Sequence, residues 1–152
     1  ITCRPDLLPI DLKRQGRAEE HLALFYPETA EDRIDLFRTL QKKLDIKVKD
    51  FSLSDVFKGI KFDMSGADIE AILVRAKMCA SMDNRAIVTR EDLDSTIRDF
   101  VPPAYPYEIE LQNLVAVLEC TSREMVPAKY QKMERSKLAA EIQELKQLLG
   151  EK

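Results

Sequence analysis

The sequence predicts a mainly α fold: a four-helix bundle with a short N-terminal segment before it and a helical C-terminal extension after it. Three observations carry this reading. From Thr29 to Phe100 the apolar residues recur at helical spacing rather than in alternation. Two of the expected helices open on a hydroxyl side chain with an aspartate three residues on, at Ser65/Asp68 and Thr89/Asp92. Cap and third-residue side chains so spaced can satisfy each other's backbone amides. Four glycines and no tryptophan in 152 residues also suit a chain that is mostly helix.

The elements follow in order. Arg4-Pro5-Asp6-Leu7-Leu8-Pro9 is turn-rich, with a short helical piece. His21-Leu22-Ala23-Leu24-Phe25-Tyr26 reads as a short strand ended by Pro27. A single strand makes no sheet, so this segment needs partners from elsewhere. Thr29 caps a helix with Ile34, Phe37, Leu40 and Leu44 on one face. Phe51, Leu53, Val56, Phe57 and Ile60 suggest a short second helix, capped by Ser52 and ending near Gly59. The Ser65-capped helix turns Ile69, Ile72, Leu73, Ala76, Ala80 and Met82 toward a core. Ala86-Ile87-Val88 is an extended link to the Thr89-capped helix, whose inner face carries Leu93, Ile97 and Phe100. Pro102, Pro103 and Pro106 mark a boundary. Beyond it Ile109, Leu111, Leu114, Val117 and Leu118 make one amphipathic helix. A second, over 128–149, carries Leu138, Ile142, Leu145 and Leu149 at 4-3-4 spacing, a seam suited to packing on its neighbour.

Composition bounds the function. With 45% hydrophobic and 34% charged residues, 152 positions suffice for one globular domain or two small ones. A net charge of −3 argues against a dedicated nucleic-acid binder. Lys42, Lys43, Lys47 and Lys49 are read as a solvated helix end. Cys3, Cys79 and Cys120 form neither a CxxC framework nor a paired set, which predicts a reducing, cytoplasmic compartment and no metal site. Cys79, in an apolar helical run, is expected in the core. No apolar run approaches the length of a membrane span. His21 is the only histidine, so no Ser/His/Asp or Cys/His set has a second one to draw on, and a structural role is expected for it. The first residue is Ile1 rather than Met, and the chain is expected to be a fragment of a longer protein.

The stretch Ser65-Gly66-Ala67-Asp68-Ile69-Glu70 holds the most chemistry. Gly66 and Ala67 leave the first turn of a helix nearly bare, so another molecule can approach its free backbone N–H groups. Taken alone, it also reads as an ordinary well-capped helix.

Together, several blocks resemble the C-terminal part of an AAA+ ATPase module, of the clade carrying Ser-Gly-Ala-Asp. Thr2-Cys3-Arg4-Pro5-Asp6-Leu7-Leu8 resembles the Thr-Asn-Arg-Pro-Asp segment that leaves the sensor-1 strand. Leu12-Lys13-Arg14-Gln15-Gly16-Arg17 resembles the Leu-Arg-Arg-Pro-Gly-Arg arginine-finger segment. Phe62-Asp63-Met64-Ser65-Gly66-Ala67-Asp68-Ile69 resembles the Gly-Phe-Ser-Gly-Ala-Asp-Leu entry to a lid helix, and Val88-Thr89-Arg90-Glu91-Asp92-Leu93 the Val-Thr-x-Glu-Asp-Phe opening of the last lid helix. The matches run in family order across residues 1–100.

The resemblance implies three regions. Residues 1–28 would be a remnant of the large α/β subdomain with the arginine-finger segment. Residues 29–101 would be the four-helix lid, and residues 102–152 a helical extension outside the family pattern. Arg14 and Arg17 would act in trans as catalytic arginine fingers on ATP held by the next subunit. Their rigid, always-charged forks suit the charge that builds on a transferring phosphoryl group. Gly66 and Ala67 would lie against the adenosine of ATP bound to their own subunit. Asp63, Asp68 and Glu70 crowd that helix end with negative charge, which disfavours a phosphate there. ATP and Mg²⁺ would belong to the full-length protein, with none expected on this fragment. It lacks a Gly-x-x-x-x-Gly-Lys-Ser/Thr loop and an acidic strand end, and by itself would not hydrolyse ATP. The expected partners are other subunits of a homo-oligomeric ring, a hexamer, and a macromolecular substrate, a protein rather than nucleic acid.

The chain departs from the family pattern in three places. Arg17 is followed by Ala18-Glu19-Glu20 rather than Phe-Asp-Arg. Leu40 stands where some members place an adenosine-contacting histidine, and Cys3 replaces the sensor asparagine. Neither can reproduce the hydrogen bonding of the residue it replaces. These departures keep an alternative open: a non-catalytic helical interaction or adaptor domain derived from an AAA+ module.

Overall fold

A computed structural model describes residues 1–14, 16–102 and 104–150, so Gln15 of the finger-like segment and Pro103 of the boundary lie outside the described residues. The described residues are mainly helical and contain no strand; six α-helices are α1 (Ala30–Lys43), α2 (Leu53–Lys58), α3 (Gly66–Met82), α4 (Arg90–Asp99), α5 (Pro106–Glu119) and α6 (Arg135–Leu148). They fall into two compact units, Tyr26–Pro103 and Ile1–Phe25 with Ala104–Lys152.

The Tyr26–Pro103 unit is a four-helix bundle of α1–α4. Thr29, Ser65 and Thr89 head α1, α3 and α4, each in a capping box with an aspartate three residues on. Ser52 precedes α2, but its side chain makes no capping hydrogen bond. Helices α1 and α3 both stop in the same way. Asp45 and Asn84 take left-handed backbone angles (φ 50° and 56°), and the next amides reach back, Ile46 N to Gln41 O at 3.1 Å and Arg85 N to Ala80 O at 2.8 Å. Such turns satisfy the last carbonyls and reverse the chain. The two loops that follow then meet at an isolated parallel bridge between Val48 and Val88.

Phe37, Leu40, Phe57, Met64, Ile69, Ile72, Leu73, Ala76, Ala80, Val88 and Leu93 form the bundle's core. Phe37 meets Phe57 edge-on at 5.7 Å, and Phe62 stacks on Phe100 at 6.1 Å. Two residues of α3 depart from expectation. Met82 and Cys79 are exposed, because the residues that α3 buries occupy one arc and these two lie outside it. Arg33, which the apolar pattern did not mark, is buried; its Nη1 donates to Ile60 O at 3.4 Å, and its Nε has no partner.

The Asp92 side chain ties the start of α4 to Arg85. It accepts from Arg85 Nη1 and Nη2 at 2.7 and 2.8 Å, and from Thr89 N and Oγ1 at 2.8 and 3.1 Å. These bonds, Arg85 foremost, outweigh desolvation and hold its carboxyl well below the usual carboxylate range. In the unfolded chain Asp92 takes up its proton near pH 4, in the bundle only at lower pH. Stability from this group is therefore full above pH 4 and is lost as pH falls below it. Melting temperatures between pH 2 and 5 should drop more steeply in the wild type than in Asp92→Asn; parallel curves would show that Asp92 contributes no such linkage.

In the second unit, Leu111, Leu114, Val115 and Val117 of α5 pack with Tyr130, Leu138 and Ile142, and Phe25 packs against them. Helix α6 begins at Arg135 rather than at 128. The buried Tyr130 explains the delay: its hydroxyl donates to the Glu110 carboxylate at 3.0 Å, and Tyr130 N turns back to Pro127 O at 2.9 Å. The strand expected over His21–Tyr26 is absent. Its backbone has no neighbouring strand, and His21 instead exchanges bonds with Thr121 at the end of α5. Asp6 joins Arg4 and Lys146, at 2.9 and 2.7 Å.

Candidate functional site

The sequence-derived site residues fall in both units, Gly66 and Ala67 in the bundle and Arg14 and Arg17 in the other. At the start of α3, Ser65 Oγ accepts from Asp68 N at 3.2 Å and donates to Asp68 Oδ2 at 2.7 Å, while Ser65 N donates to the same carboxylate at 2.8 Å. The box spends the Ser65 and Asp68 side chains on each other and leaves Gly66 and Ala67 to form the surface of the turn. Ala67 is exposed and Gly66 half-buried.

The glycine at 66 is not forced by the bundle. Its φ lies outside the left-handed region, and a Cβ built there would meet only Leu36 Cδ2, at an ordinary contact distance of 3.5 Å. A Cβ at 66 is thus tolerated by the fold. Tyr26, which sequence reasoning did not single out as a site residue, belongs to the same neighbourhood. Burial raises its phenol pKa, and the carboxylates of Asp68 and Asp63 add to the rise, so it stays a neutral donor with an aromatic face. Its position beside Pro27 gave no signal beyond a strand end.

Arg14 and Arg17 are brought together by a turn at Gly16, whose φ of 88° suits glycine. Arg17 N and Ala18 N donate to Arg14 O at 3.1 and 3.4 Å. Both guanidiniums reach Asp11, Arg14 at its Oδ1 (3.5 Å) and Arg17 at its backbone O (3.4 Å). These contacts are long and exposed, so they hold the arginines only weakly. Of the altered family positions, Leu40 is buried in the bundle core and Cys3 is exposed. Among the described residues no three His, Cys, Asp or Glu side chains converge as a metal site requires.

The chain is similar to the proteasome-activating nucleotidase of Thermococcus gammatolerans, 34% identical over 92 residues, which are 60% of this chain and 22% of that protein. The nucleotidase of Methanopyrus kandleri is 35% identical over 91 residues (60% and 20%). The ATP-dependent zinc metalloprotease FtsH of Pelobacter propionicus is 32% identical over 93 residues (61% and 14%). The chain carries the C-terminal part of an AAA+ ATPase. It spans about a fifth of the length of its nucleotidase relatives and less of FtsH. No family model and no solved structure matches. Among the described residues no helix is long and apolar enough to cross a membrane.

Proposed function

We propose that this chain supplies the nucleotide-facing lid and the arginine-finger segment of an AAA+ ATPase, and that the full-length protein couples ATP binding and hydrolysis to the remodelling of a macromolecule. The observation that carries the reading is the first turn of α3. A capping box fixes it, yet its two surface positions are Gly66 and Ala67, and the bundle itself does not require the glycine. A turn so rigid and so bare suits the close approach of a flat, neutral ligand face such as adenosine. The nearby carboxylates of Asp63, Asp68 and Glu70 direct the phosphates elsewhere, toward the parts of the protein that would hold Mg²⁺.

In this reading the subunits form a homo-oligomeric ring, a hexamer, in which Arg14 and Arg17 of one subunit complete the ATP site of the next. The names of the relatives, a proteasome-activating nucleotidase and an ATP-dependent protease, favour a protein as the substrate. A cytoplasmic location goes with it, since Cys3, Cys79 and Cys120 are all free thiols.

Gly66→Ala separates fold from ligand. Added at a position with ordinary contacts, the methyl group should leave the bundle as stable as before or more stable by up to about 1 kcal/mol. In the full-length protein it should weaken ATP binding about tenfold or more, because it occupies the space left for the ligand. Thermal melts and calorimetry with ATP and Mg²⁺ read the two effects. Unchanged affinity in a variant of unchanged stability would remove Gly66 from the nucleotide site. The second reading, a non-catalytic adaptor, is favoured by Leu40, an apolar core residue at a position where some family members contact adenosine through a histidine.

A further inference from the structure

The exposed loop that carries Arg14 and Arg17 is tied at both of its stems to one place, the C-terminal end of α5. On the incoming stem, Lys13 Nζ pairs with Glu119 Oε1 at 2.6 Å, and both side chains are largely shielded from solvent. On the outgoing stem, His21 N donates to Thr121 Oγ1 at 2.9 Å, His21 O accepts from Thr121 N at 3.2 Å, and His21 Nδ1 lies 2.9 Å from Glu119 O. Between these ties the described loop residues are all exposed. Contacts to two residues, Glu119 and Thr121, thus close a short loop around the Gly16 turn.

We propose that the end of α5 is a clamp that presents the Arg14–Arg17 loop, with Lys13, His21, Glu119 and Thr121 as positioning residues. This rests on the reading of Arg14 and Arg17 as arginine fingers. It gives the C-terminal extension, which has no counterpart in the family pattern, a task at that family's catalytic interface. The physical reason is general. A guanidinium stabilises transferred charge only when its backbone is already placed, and among the described residues the side chains of Arg14 and Arg17 are held by long, exposed contacts to Asp11. The Lys13–Glu119 pair and the His21–Glu119 contact are part-buried and fix the loop ends where solvent screening is weaker, and the exposed His21–Thr121 bonds add to the outgoing tie.

The clamp is tested in the chain as it stands by tryptic cleavage after Arg17, followed by mass spectrometry. Glu119→Gln, which turns the ion pair into a neutral hydrogen bond, and Thr121→Val, which removes an acceptor, should each raise the initial cleavage rate about fivefold. The double charge swap Lys13→Glu with Glu119→Lys should return it toward the wild-type rate. Unchanged cleavage in both single variants overturns the clamp. In the full-length ATPase, Glu119→Gln should lower kcat with KM unchanged, by less than Arg14→Ala does. If cleavage rises while kcat stays the same and Arg14→Ala still lowers it, the finger reading stands and the positioning role is overturned. If neither arginine variant lowers kcat, the finger reading fails, and the positioning role in catalysis falls with it.

Discussion

In the full-length ATPase, Arg14→Ala and Arg17→Ala should each lower turnover by about 10³-fold or more while leaving ATP affinity nearly unchanged. The asymmetry follows from when the charge appears. A guanidinium that meets the γ-phosphate only as negative charge moves onto its oxygens contributes to the transition state and little to ground-state binding. The structure offers both side chains for such a role. Arg14 is 72% exposed, and its ion pair with Asp11 is 3.5 Å long, so leaving that contact costs little. Lysine at either position should not rescue turnover, because an ammonium lacks the planar fork. A mixture of finger-less subunits with subunits lacking a phosphate loop should recover part of the turnover, since in the proposed ring the two defects would lie on opposite sides of one interface. Unchanged turnover in both alanine variants would end the trans-acting role and leave the adaptor reading in possession of the data.

The bundle was legible in the sequence because its signals are local. Thr29, Ser65 and Thr89 sit at the observed helix starts, and the Ile69–Ala80 stripe is the buried face of α3. What escaped depends on contacts distant in sequence. Nothing near Tyr130 announces that its hydroxyl will seek Glu110 and break the helix expected there. His21–Tyr26, ended by Pro27, reads as a strand, but with no second strand among the described residues to pair with, the backbone of His21 bonds to Thr121, 100 residues away. Arg33 was invisible for another reason: arginine is ordinarily a surface residue, and its burial here serves the Ile60 carbonyl of the link that follows α2. The motif at Gly66 was legible as chemistry, yet its significance came from a negative fact of packing, that no neighbour in the bundle needs the glycine.

Phe37→Ala should be the most damaging single change in the bundle. Phe37 is 1% exposed, crosses Phe57 edge-to-face at 5.7 Å, and lies in the cluster that joins α1, α2 and α3. Truncation removes most of a ring from water-free contact and leaves a cavity that the helices close only in part. Buried Phe→Ala changes of this kind cost about 3–5 kcal/mol. A bundle of fewer than 80 residues moves its midpoint by about 4–8 °C per kcal/mol, so the loss would lower the melting temperature by tens of degrees. Met82→Ala supplies the contrast on the neighbouring α3. The periodicity of the sequence put Met82 with the core, whereas the structure leaves it 83% exposed, and the change should stay within about 0.5 kcal/mol. Denaturant melts of the two variants decide between the sequence pattern and the observed packing. Comparable losses would mean that Met82 is buried and that α3 is rotated from its observed orientation; a small loss at Phe37 would mean that the core is not organised around that ring.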